Sequence, residues 1–187
     1  MEITKTKFKD LLVYNKKTFK DKRGYFRELY LEKHFKTKFP FDVMSYSKKN
    51  VLRGLHLQLK NPQAKLITVL HGKIFDVCVD CRSKSKTFGK YFSIYLSENE
   101  NKSLFIPAGF AHGFCSMTDE VVLHYKCSKY RNANSETGIL WNDNDLNIKW
   151  PNKKFIISDK DKKNISFYDL KKLIKNLDIK KRNDFQK

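Results

Sequence analysis

Two histidines sit in glycine-framed segments, Val51-Leu-Arg-Gly-Leu-His-Leu-Gln58 and Pro107-Ala-Gly-Phe-Ala-His-Gly-Phe114, and a lone lysine stands between them in Gln63-Ala-Lys65. These residue types suit removal of a proton from carbon in an anionic substrate. An imidazole can take the proton, an ammonium can stabilise charge building on a neighbouring carbonyl oxygen, and Arg53 can grip an anionic group. Strands carrying His56 and Lys65 can aim both side chains into one cavity. A histidine becomes a useful base when a carboxylate holds its other ring nitrogen, fixing the tautomer and stabilising the imidazolium. Ser158-Asp-Lys-Asp161 offers Asp159 and Asp161, and spacing does not choose between them. Each position also has a structural reading: His56 as a hydrogen-bonded core histidine, Gly54, Gly109 and Gly113 as barrel corners, Arg23 as a turn brace, Tyr125 as a strand aromatic with a wet hydroxyl.

The elements that must position these groups read as short strands. Leu66–Leu70, Ile74–Cys81, Tyr91–Leu96, Leu104–Pro107, Phe114–Met117 and Val121–Lys126 are rich in β-branched and aromatic residues, and glycines and polar clusters break them apart. Lys7 to Tyr30 supplies further strands around the turn Lys20-Asp-Lys-Arg-Gly24. Such even spacing predicts an antiparallel sandwich or barrel. Near the end, Phe167, Leu170, Leu173, Ile174 and Leu177 recur at helical spacing behind a possible N-cap, Ser166. The 187 residues suffice for one domain and hardly two, with a core over about 3–162, a helix over about 166–178 and a basic tail over 180–187.

Composition narrows the partners. Apolar residues make up 40% of the chain, so it can bury a core, and the formal net charge is +19. That charge is mostly lysine in scattered pairs. No helix-turn-helix, zinc-finger or aromatic RNA-binding pattern accompanies it, so a solvated basic surface is expected rather than a nucleic-acid footprint. No apolar run reaches the length of a membrane span and the first residues lack a signal peptide's apolar stretch, so no membrane partner and a cytoplasmic location are expected. Cys78, Cys81, Cys115 and Cys127 are then reduced. Cys78-Val-Asp-Cys81 lies within a strand, where residues three apart face opposite ways, which argues against a zinc or redox pair. A metal-binding barrel normally opens with a His-x-His pair; here it is His56-Leu-Gln58, and no metal is assigned.

The motifs, taken in order, add a resemblance. They are Asp21-Lys-Arg-Gly-Tyr-Phe-Arg-Glu28, Ser47 to Gln58, Gln63-Ala-Lys65, Gly72 to Gly89, Ile106 to Phe114, Tyr125-Lys126, Leu140-Trp-Asn-Asp143 and Ile148-Lys-Trp-Pro151. The series resembles that of the dTDP-4-dehydrorhamnose 3,5-epimerases from about residue 3 to about residue 162. The resemblance implies a mainly β, cupin-like antiparallel barrel or jelly roll with a few short helices, one of them C-terminal. It implies a homodimer whose N-terminal strands cross between subunits, acting without metal or organic cofactor on a nucleotide-diphosphate sugar, dTDP-linked first and GDP-linked second. By the same resemblance His56 is the base, Asp161 its carboxylate partner, Tyr125 the acid on the other face, and Lys65 the cation at the 4-keto oxygen. Arg23, Arg53 and His112 match the sugar and diphosphate region, Phe26 and Glu28 the nucleotide side, and Ser45 and Arg131 are further substrate-binding candidates. The chain departs from the pattern at Phe41-Asp-Val-Met44, where amide side chains are common, and at Arg131, where an aromatic is common. Two other readings remain: a sugar-nucleotide-binding cupin without catalysis, and a metal-dependent cupin enzyme.

Overall fold

The computed structural model describes residues 2–184, and side chains as far as residue 179. Thirteen strands appear among the described residues. They are β1 (Glu2–Lys5), β2 (Leu12–Asn15), β3 (Thr18–Asp21), β4 (Gly24–Arg27), β5 (Phe41–Lys48), β6 (Leu52–Gln58) and β7 (Lys65–His71). There follow β8 (Lys73–Asp80), β9 (Tyr91–Ser97), β10 (Lys102–Ile106), β11 (Phe110–Ser116), β12 (Glu120–Cys127) and β13 (Glu136–Gly138), then the helices α1 (Asp159–Lys162) and α2 (Phe167–Asp184). Six strands form one sheet in the order β1-β2-β10-β7-β12-β5, five form a second in the order β13-β6-β11-β8-β9, and β3 and β4 make a separate hairpin. Every ladder is antiparallel. This is the expected cupin-like architecture.

Alternation along the strands builds two cores. Val13, Ile67, Leu104 and Leu123 of the six-stranded sheet meet Ile74, Cys78, Leu96 and Phe114 of the five-stranded sheet between the layers. The opposite face of the five-stranded sheet sends Leu55, Phe75, Val77, Val79 and Cys115 against Ile139, Leu146 and the α2 residues Phe167, Leu170 and Ile174. Cys78 and Cys81 therefore belong to different cores, as their strand spacing implied. Burying some 150–250 Å² per aromatic ring makes Phe114 and Phe167 major contributors to these layers.

Expectations need correction at the strand near Phe114 and at the C-terminal helix, and one strand comes in addition. The strand expected from Phe114 already starts at Phe110, because Gly109 (φ +91°) completes the preceding turn and the chain is extended from there. The segment Phe41–Lys48 is a full strand although it lacks clean alternation. Helix α2 runs on to Asp184, past the expected end at 178, and its Leu173 is 43% exposed rather than packed. Ser166 does cap it, its Oγ accepting the Asp169 N–H. The basic tail expected over 180–187 is helical to Asp184, and its last residues lie outside the described ones. Among the described residues no helix is long and apolar enough to cross a membrane.

Strands β6 and β11 approach so closely that only glycine fits. A β-carbon on Gly54 would lie 2.5 Å from Gly113 Cα, and one on Gly113 would lie 2.7 Å from the Arg53 carbonyl oxygen. Both obstacles are backbone and cannot swing aside. Gly113→Ala should therefore cost about 1–3 kcal/mol through overpacking. An unchanged denaturation midpoint in urea would show that the two strands can separate freely.

Candidate active site

Between the sheets lies a cavity of about 690 Å³. Strand β6 turns His56 into it, while its neighbours Leu55 and Leu57 face the core under α2. His56 Nε2 is 2.6 Å from Asp161 Oδ1. The second oxygen, Oδ2, accepts the Gly54 N–H at 3.1 Å, so both ends of the carboxylate are fixed. Asp161 reaches this position because Ser158 caps α1, its Oγ accepting the Asp161 N–H at 3.1 Å. Its rival Asp159 points outward to Lys162. Burial alone would push the Asp161 carboxyl up, but the hydrogen bond and charge of His56 and the Gly54 N–H outweigh it and hold the group below the usual range. A carboxylate can only accept, so Nε2 carries the hydrogen shared with Asp161, and in the neutral ring it is Nδ1 that can take a proton.

The facing wall comes from the six-stranded sheet. Tyr125 on β12 lines the same cavity, and its hydroxyl lies 3.0 Å from Ser45 Oγ on β5. Burial drives the phenol pKa up, against the lowering effect of Ser45, so the group is a protonated donor at neutral pH. Lys65 opens β7 beside Cys127 and Ile106 and also lines the cavity. Burial lowers its pKa, opposed by Cys127, Cys78, Glu136 and Asp76. Arg53 is held at the rim by Ser47 Oγ and the Tyr46 carbonyl, both 2.9 Å away. Arg131 lies at the rim too, its Nε 2.9 Å from Glu136 Oε2.

His112 is paired with a carboxylate that the sequence reading did not single out. Its Nε2 is 2.8 Å from Asp76 Oδ2, and both side chains are buried. The signal was present: Asp76 is a lone carboxylate in the otherwise apolar run Ile74-Phe-Asp-Val-Cys-Val79. Glu136 and Lys160 were also missed; they line the cavity and are joined at 3.0 Å. Gln58, where a second metal-binding histidine was sought, spends its amide on the Asn61 carbonyl and the Asn132 N–H. Among the described residues no group of three or more His, Cys, Asp or Glu side chains is arranged to hold a metal ion.

Of the residues assigned through the resemblance, His56, Lys65, Tyr125, Asp161, Ser45, Arg53, His112 and Arg131 line this one cavity. Arg23, Phe26 and Glu28 do not. They lie on or beside the β3–β4 hairpin, where Arg23 pairs with Asp21 and Phe26 is 69% exposed. The departure at Phe41–Met44 is half relevant, since Phe41 and Val43 line the cavity and Met44 faces away, exposed.

A family model described as dTDP-4-dehydrorhamnose 3,5-epimerase matches residues 5–169. The chain belongs to this family. A Shigella flexneri dTDP-4-dehydrorhamnose 3,5-epimerase is 43% identical over 176 residues, covering 90% of this chain and 97% of that protein. The crystal structure of the Elizabethkingia anophelis family member superposes with a TM-score of 0.85 at 40% identity, covering 90% of this chain and 97% of that one. The Legionella pneumophila enzyme, solved in complex with dTDP-4-keto-L-rhamnose, gives 0.85 at 37% identity over 88% of this chain and 92% of that one.

Proposed function

We propose that this family member is a 3,5-epimerase of a nucleotide-linked 4-keto-6-deoxyhexose, dTDP-linked in the first place, working through an enolate with its own side chains. The observation that carries the reading is a carboxylate-held imidazole on one sheet and a protonated phenol on the facing sheet, sharing one cavity with a lysine. Inversion at carbon needs a base on one face of the sugar ring and an acid on the other, and the two sheets supply them. His56 takes the proton at C3 or C5, Asp161 steadies the imidazolium, and Tyr125 returns a proton from the opposite side. Lys65 stands by the 4-keto oxygen, where negative charge builds as the C–H bond breaks. Arg53, His112 and Arg131 hold the sugar and diphosphate, so that remote contacts orient the reacting ring.

The same proposal includes a homodimer. Its support is the hairpin, whose Phe19, Tyr25 and Phe26 are exposed and whose Arg23 and Phe26 stand apart from the cavity of their own chain. Exchange of this hairpin would let each subunit complete its partner's site. A cytoplasmic location fits four buried, unpaired cysteines.

The test is incubation with dTDP-4-keto-6-deoxyglucose in D₂O, followed by mass spectrometry and NMR. Deuterium should enter at C3 and C5. Entry at C3 alone would make the protein a 3-epimerase, and none at either carbon would overturn the reading in favour of a non-catalytic sugar-nucleotide binder. Tyr125→Phe should keep the exchange at the first carbon while slowing product formation about 100-fold or more. Equal loss of both would remove Tyr125 from the acid role.

A further inference from the structure

The Tyr125 hydroxyl has one hydrogen-bond partner among the described residues, Ser45 Oγ at 3.0 Å. The β5–β12 ladder pairs Leu123 with Ser45 and Tyr125 with Val43, so the serine stands diagonally across from the phenol on the same face of the sheet. Both side chains line the cavity. The other sides of the phenol are closed to a proton donor. Its ring packs against the core between the sheets, and the His112 ring meets it edge-on with centroids 6.4 Å apart. His112 in turn commits its Nε2 to Asp76. Ser45 itself is partly exposed and sits on β5, the outermost strand of the six-stranded sheet.

An acid of this kind must be reloaded. When Tyr125 gives its hydrogen to a ring carbon, the O–H bond breaks, a C–H bond forms and a phenolate remains, while the proton taken from the opposite face sits on His56. Before another carbon can be inverted, the phenolate must gain a proton and His56 must lose one. Burial, the leading influence on Tyr125, disfavours a lasting phenolate there. We infer that Ser45 is the relay that reloads Tyr125: its Oγ–H passes its hydrogen to the phenolate while a water molecule gives one to Oγ. The hydroxide left by that water is neutralised by the proton that His56 sheds, so the site returns to its starting state.

This role rests on the epimerase reading and adds to it, since the motif series placed Ser45 only among substrate contacts. Ser45 acts through Tyr125 and need not touch the reacting carbons. A serine that merely orients the phenol would, when removed, slow the first inversion as much as every later one. Removing a relay spares the first inversion, for which the proton already on Tyr125 suffices, and holds back those that follow.

Rapid-quench assays of the full-length protein with excess dTDP-4-keto-6-deoxyglucose separate the two, with active sites counted by dTDP binding. Ser45→Ala should invert one carbon per active site at a rate within about threefold of wild type and then slow about 100-fold, the scale of a lost positioned proton transfer. Ser45→Thr keeps the hydroxyl on a side chain suited to a strand, and should run at the wild-type rate with no burst. Tyr125→Phe, which lacks the acid, should show no burst with or without Ser45→Ala. A Ser45→Ala variant slow from its first inversion, one as fast as wild type throughout, or a Ser45→Thr variant with the same burst and slow phase would overturn the relay and leave the epimerase reading standing. A wild-type protein that inverts no carbon would overturn both.

Discussion

His56→Asn should lower epimerase turnover by about three to four orders of magnitude and abolish deuterium uptake at C3 and C5 together, with the fold intact. The scale is that of a lost general base whose partner also vanishes from the mechanism. Asparagine can still occupy the space and meet Asp161, so circular dichroism and melting temperature should change little. The proton-abstracting step is common to both carbons, and for that reason the loss should be equal at each. Residual exchange at one carbon only would mean that a second base serves it, and His112, paired with Asp76 in the same cavity, would be the first place to look. A rate-and-exchange comparison of His56→Asn and His112→Asn separates these outcomes.

Lys65→Met should have the second largest effect, and it should divide activity from stability. Removing a fixed donor at a developing oxyanion costs about 10²–10³ in rate. Burial, the leading influence on Lys65, lowers its pKa and makes it a stronger acid, better suited to a charge forming on the substrate oxygen. The corresponding price is paid by the fold. Because the folded-state value is depressed, the unfolded chain binds the proton more readily, and stability rises as pH climbs toward the unfolded value of 10.5. Methionine matches the volume and carries no proton, so the variant should be slower yet no less stable, and its stability should lose that part of the alkaline rise. The alkaline limb of the wild-type rate profile should reflect the deprotonation of Lys65 and vanish in Lys65→Met. A variant both slow and clearly destabilised would make Lys65 a structural residue.

Much of this site was readable in the sequence because glycine, histidine and lysine occupy positions that core packing does not demand. Gly54 and Gly113 are required by one backbone crossing, and that crossing sets His56 and His112 opposite each other in the β6–β11 ladder. The choice between Asp159 and Asp161 was closed to spacing because it depends on which side of a four-residue helix faces β6, and a cap by Ser158 decides it. Strand β5 was hard to see since its cavity-facing positions, Phe41, Val43 and Ser45, alternate with the exposed Asp42, Met44 and Tyr46 without a clean polarity difference. Leu173 of α2 misled for a related reason: helical spacing marks a stripe, and only Phe167, Leu170 and Ile174 of that stripe find a partner surface. Asp76 carried a signal that strand-level reading absorbed as a polar interruption.

The carboxylate that steadies His56 arrives from a four-residue helix beyond the last strand, 105 positions further along the chain. During synthesis, then, both sheets can pair before the imidazole acquires its partner, and a chain ended upstream of Ser158 would possess the cavity with an unassisted histidine. Chemical competence is delivered only after both sheets, ahead of the closing helix α2.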